Sequence, residues 1–211
     1  MGGRVRARGC ALLALAATPA TAQTTDAFAG VPNVAFRYYT VQGNDAASLA
    51  QSIGAARPTD PHGDARVDAL THWAIRWRWR RKPHGGCDLA HARVTFSATV
   101  TLPRLADGKA PPPGLLEMWT RYIAALERHE AGHVRYAYEH RGDVLGAIRA
   151  ATCATAAKAG QAALDRIAAH DIAYDRDTQH GLTQGAGFPQ DTTSPGNYPL
   201  QPPAQPNRTT P

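Results

Sequence analysis

The sequence predicts an α+β protein. An N-terminal antiparallel hairpin or sheet with a small helix comes first, then a long helix and further C-terminal helix. Three observations carry that reading. Two stretches alternate apolar and polar residues with period two. A third stretch changes to helical spacing and holds His129-Glu130-Ala131-Gly132-His133. Hydrophobic residues make up 43% and charged residues 19% of the 211, enough for a packed core and too little charge for a wholly disordered chain.

Residues 1–22 read as a secretion signal, with Arg4, Arg6 and Arg8 ahead of an apolar run over 10–17 and a small-residue cleavage site at Ala20-Thr21-Ala22. Cutting is expected before Gln23, leaving a secreted or periplasmic product. The run falls far short of the roughly 20 residues a membrane span requires. The first 22 residues hold three arginines and no acid, so their removal takes the formal charge from +6 to +3. Removal of Cys10 leaves Cys87 and Cys153, which are expected to pair in an oxidising compartment. In the chain-entropy model such a bridge stabilises the fold by about 4 kcal/mol.

Residues 23–33 read as a leader, and residues 34–189 as the zincin-like domain. Residues 34–41 carry Phe36, Tyr38, Tyr39 and Val41 and predict a first strand ending at Gly43. Asn44 or Asp45 caps a small helix with Ala46, Leu49, Ala50 and Ile53 on one side, ending near Arg57-Pro58. Trp73, Ile75, Trp77 and Trp79 then alternate with Ala74, Arg76, Arg78 and Arg80. After a turn at Pro83-His84-Gly85-Gly86, Val94, Phe96, Ala98, Val100 and Leu102 alternate with Arg93, Thr95, Ser97, Thr99 and Thr101. The two strands should pair antiparallel, with the tryptophans in the core and the arginines on a solvated face. That division argues against a nucleic-acid surface.

Beyond Pro111-Pro112-Pro113, a helical face runs through Leu115, Trp119, Tyr122, Leu126, His129, His133 and Ala137. Gly142-Asp143 is expected to bend or restart the helix, and an alanine-rich helix over 144–173 should stop before Tyr174. From residue 190 the chain reads as a disordered Pro-rich tail.

Chemistry centres on the His-Glu-x-x-His pattern. At i and i+4 on a helix, His129 and His133 project from one face and can converge on a tetrahedral zinc. Glu130 sits at the flank of that face as general base. With nine His and four Glu in the chain, chance predicts only about 0.007 occurrences of the pattern. A catalytic zinc takes a third protein ligand and leaves one position for water. The metzincin solution fails because Glu139 occupies the position of its third histidine. A later glutamate is also ruled out, since Glu117, Glu127, Glu130 and Glu139 are the only ones. His140 lies two turns, about 10 Å, beyond His133. His180 is therefore the expected third ligand. Asp175 is the alternative, or else an acceptor for a ligating imidazole N–H. His170 reads as a surface histidine, and Tyr174 either donates to a developing oxyanion or packs beside the helix end.

The array Trp119, His129-Glu130-x-x-His133, Cys153, Tyr174-Asp175-x-x-Thr178-x-His180-Gly181 and Gly185-Ala186-x-Phe188-Pro189 resembles a bacterial family of unknown function described as predicted secreted zinc-dependent proteases. The resemblance spans most of residues 34–189. It implies His129 and His133 as ligands and Glu130 as catalytic base. One zinc ion per chain and a peptide or protein substrate are expected, with no nucleic acid and no membrane span. The strand over 73–80 or its hairpin partner offers an edge to an extended peptide. Two other readings remain open. One is a non-catalytic zinc-binding envelope protein or partner-binding module, with a fourth protein ligand such as Asp175 closing the metal site. The other is an amidase acting on cell-wall peptides.

Overall fold

The computed structural model describes residues 26–60, 66–108 and 110–189. The expected signal segment 1–22 and the tail from 190 lie outside the described residues. The elements run β1 (Val34–Val41), α1 (Ala46–Ala56), β2 (Leu70–Arg81), β3 (Cys87–Leu105), α2 (Pro113–Ala150) and α3 (Ala156–Thr178). The chain is α+β, with one three-stranded mixed sheet. β2 and β3 form the expected antiparallel hairpin, while β1 joins parallel to β3, so the strand order is β1-β3-β2 and β2 lies at an edge. The sheet is thus mixed and not wholly antiparallel.

Each element follows from local sequence. Asp45 caps α1, its side chain accepting from the Ser48 amide at 2.7 Å while Ser48 Oγ accepts from the Asp45 amide at 3.3 Å. Leu49 and Ile53 bury the inner face of that helix. On the sheet, Ile75, Phe96, Ala98, Val100 and Leu102 are buried toward the helices, while Arg76, Arg78 and Arg93 are exposed. The tryptophans at 73, 77 and 79 are half-buried against the core. The stretch read as a leader contains a 3-10 turn at Asp26–Phe28, and Phe28 is buried edge-on against Phe36.

Two helix boundaries differ from expectation. α2 runs 38 residues without interruption through Gly142. One interior glycine costs about 1 kcal/mol, and the burial of Val144 and Ile148 beyond it outweighs that. The chain breaks instead at 151–155, where Cys153 forms a disulfide with Cys87 at the start of β3. The second helix does not stop before Tyr174 but continues to Thr178 and ends at left-handed Gln179. No helix among the described residues is long and apolar enough to cross a membrane.

Candidate metal centre

α2 packs beneath the sheet and α3 packs against α2, so one face of α2 is enclosed by protein. His129, Glu130 and His133 lie on that enclosed stretch and are all buried. Gly132 is the residue that lets α3 approach. A β-carbon there would meet Tyr174 Oη at 2.6 Å and Cζ at 2.8 Å. The Tyr174 ring stacks on His129 at 5.0 Å between centroids and stands edge-on to His133 at 4.9 Å.

Extension of α3 to Thr178 puts Asp175 between the two imidazoles. Its Oδ1 lies 3.1 Å from His129 Nε2 and 3.0 Å from His133 Nε2, and the two nitrogens are 3.4 Å apart. Donor atoms of a tetrahedral site with metal–ligand bonds of about 2.0–2.1 Å stand about 3.3–3.4 Å from one another. The triangle therefore has nearly the dimensions a cation requires. His129, His133 and Asp175 form a group that can hold a metal ion.

The outward-facing ring nitrogens support the same conclusion. His129 Nδ1 lies 3.1 Å from Gln184 Oε1, a side-chain oxygen that can only accept, so Nδ1 carries the hydrogen. His133 Nδ1 lies 3.1 Å from Asp171 Oδ1, a buried oxygen with no aligned hydrogen bond of its own. Asp171 is anchored through Oδ2 by the indole N–H of Trp73 on β2. With both Nδ1 hydrogens directed outward, two imidazole lone pairs face a carboxylate oxygen, an arrangement that needs a cation or a proton at its centre.

The electrostatics of His133, Asp175 and Glu130 agree. Burial pulls His133 down, but the carboxylates of Asp171 and Asp175 beside its two nitrogens, with the charge of Glu130, outweigh it and raise it to about 10. Burial alone would raise Asp175, yet His129, His133 and His180 hold it well below the ordinary carboxylate range. Glu130 is raised by burial, with His133, His129 and Thr71 acting against the shift. Thr71 belongs to β2, and its hydroxyl is buried without a formed hydrogen bond.

His180, expected as third ligand, lies beside the group. Its Nδ1 is 3.6 Å from Asp175 Oδ1, and its side chain is 47% exposed. Asp175 is the side chain that converges with the imidazoles. Tyr174 Oη accepts from Gln184 Nε2 at 3.1 Å, in addition to packing on the histidines. His170 is half-buried, stacked on Tyr136 at 3.4 Å, with Nδ1 lacking a hydrogen bond. Gln179, His180 and Gly181 all have positive φ, and this tight turn returns the chain so that Gln184 reaches His129. A β-carbon on Gly181 would meet His129 Cγ at 2.8 Å. Phe188 then packs on Tyr122 and Trp119, closing the segment over the first turns of α2.

Sequence reasoning missed Asp171, Gln184, Gly132 and Thr71. Only Asp171 had a usable signal, since it stands four residues before Asp175 and shares a helical face with it once the helix is carried that far.

Fold and site together define an α+β protein with a two-histidine, one-carboxylate group between two helices, its histidines buried and its carboxylate half-buried, and an adjoining buried glutamate. The chain belongs to DUF922, a family of bacterial proteins of unknown function whose pattern matches residues 36–181. No curated protein and no solved structure matches it.

Proposed function

We propose that the protein is an exported zinc-dependent peptidase. The single observation that carries this reading is the triangle of His129 Nε2, His133 Nε2 and Asp175 Oδ1 with Glu130 buried beside it. Two neutral imidazoles and one carboxylate are a donor set suited to zinc, and three protein ligands leave a position for water. Zinc held there supplies Lewis acidity and lowers the pKa of a water molecule toward 7.

The chain's own residues do the rest. Glu130, raised by burial, accepts a proton from the attacking water and delivers it to the leaving amine nitrogen. Asp171 and Gln184 fix the rings so that Nε2 points inward. His180 and Tyr174 flank the group as donors available to a developing oxyanion. Among the described residues no strand pairs with the outer edge of β2, which reaches the site through Thr71 and Trp73, so an extended peptide paired with it would pass over Glu130. The Cys87–Cys153 disulfide suits an oxidising compartment and so favours export.

The competing reading, a metal-binding module without turnover, requires a fourth protein ligand. His180 is the residue beside Asp175 that would have to supply it. The test is metal content and digestion of a broad peptide library by wild type, Glu130→Gln and His133→Ala. Zinc retained with turnover abolished in Glu130→Gln, and both lost in His133→Ala, is the expected pattern. Unchanged hydrolysis by Glu130→Gln ends the mechanism, and zinc without any hydrolysis by wild type favours the binding module.

A further inference from the structure

The outer face of the sheet carries a charge pattern that peptide hydrolysis alone does not require. On β2, Thr71, Trp73, Ile75 and Trp77 alternate with His72, Ala74, Arg76 and Arg78. Trp73 reaches Asp171 and Trp77 approaches Gly160, so that set faces the helices and the other faces outward. The antiparallel register sets Arg78 directly opposite Arg93 and Arg76 opposite Thr95. All three arginines are exposed, and among the described residues none forms a salt bridge.

Like charges directly opposite on a sheet are destabilising. Protection of an edge strand from unwanted pairing needs charge, but not two guanidinium groups facing each other. An anionic partner offsets the repulsion, and the geometry says where it would lie. A strand paired with the outer edge of β2, unpaired among the described residues, places every second side chain on the outer face, beside Arg76 and Arg78.

Resting on the reading of the protein as a peptidase, we propose that its substrate is an acidic extended peptide, with Asp or Glu at two alternate positions lying opposite Arg76 and Arg78. Thr71 neighbours Glu130, and Arg76 and Arg78 stand five and seven residues further along β2. At about 3.3 Å per residue they lie about 16 and 23 Å from the bond to be cut. The acidic residues therefore fall about five and seven positions to one side of that bond. A hexapeptide centred on it is too short to reach them.

The experiment titrates labelled 16-residue peptides against the zinc-loaded full chain carrying Glu130→Gln, with fluorescence anisotropy as readout. One series has Glu at alternate positions, and its counterpart has Lys there. Tighter binding of the acidic series by about tenfold at low salt, shrinking as salt is added, is expected. Arg76→Glu with Arg78→Glu on the same background should invert the preference, and thermal melting verifies the fold of that variant. Equal affinities for the two series, or a preference that the double reversal leaves in place, overturns the proposal. Cleavage by wild type is scored separately on the same peptides. Acid-selective binding without cleavage supports the edge as an acidic-peptide site and removes the peptidase reading. Cleavage of both series at equal rates retains the peptidase and sinks the acidic preference.

Discussion

His129 and His133 leave one helix a turn apart, yet opposite kinds of structure hold them. His133 is braced by Asp171 on α3, which is anchored in turn by Trp73 on β2, so three regular elements fix one ring. His129 is braced by Gln184, an exposed amide on a short 3-10 turn that follows three consecutive left-handed residues. A carboxylate on a long helix and an amide on a returning turn do the same work with different rigidity. The difference teaches that this group is a fixed half joined to an adjustable half, with Asp175 common to both.

Asp175→Ala breaks the comparison outright, because its Oδ1 serves both imidazoles. Zinc retention after dialysis should fall below detection by elemental analysis, while the helical circular dichroism persists. Next in size is Gly181→Ala. At φ +82°, with a β-carbon 2.8 Å from His129 Cγ, it strains the adjustable half by about 3 kcal/mol. Denaturant unfolding of the metal-free protein measures that loss. A stability unchanged within error would show that the turn does not press on His129.

The two histidines were legible in the sequence and the residues that brace them hardly at all. His129, Glu130 and His133 could be read because their geometry is local, since four residues on a helix set the spacing whatever surrounds it. The strand at 34–41 and the two sides of the hairpin could be read from period two. Asp175 was legible only as the alternative to His180, not as the side chain that converges on the imidazoles. Tyr174, Asp175 and Asp177 are poor residues for the last turn of a helix, where acidic side chains meet the negative end of the dipole. Local reasoning therefore ends the helix at 173. Packing of the Tyr174 ring over Gly132 and attraction of Asp175 to the imidazoles override that preference. Likewise β1 joined β3 in parallel because a crossover through α1 and the hairpin decides its neighbour, and its eight residues hold no information about direction.

Asp171→Ala tests the fixed half next. The substitution frees His133 to rotate and leaves the Trp73 indole N–H without its acceptor. Loss of such a partner lowers metal affinity by roughly 10- to 100-fold, and the upper end is expected here because two rings lose their anchor. Competition against a chelator of known affinity provides the measurement. Asp171→Asn keeps the shape and an oxygen for one donor, so it should recover part of the loss, which a purely steric role would not predict.

Gln184→Ala is the smallest change and the most informative about the comparison. Gln184 Oε1 faces His129 Nδ1, and its amide nitrogen donates to Tyr174 Oη. Because the turn is exposed, water can replace the lost acceptor at His129 Nδ1, which the enclosed Asp171 side does not permit. The affinity loss should stay near tenfold, the low end for a residue that orients a ligand. It should be non-additive with Gly181→Ala, because the Gln184 backbone amide donates to Gly181 O at 2.9 Å and both residues act on the same ring. If Gln184→Ala instead costs as much as Asp171→Ala, water does not substitute, and the two halves are equally rigid.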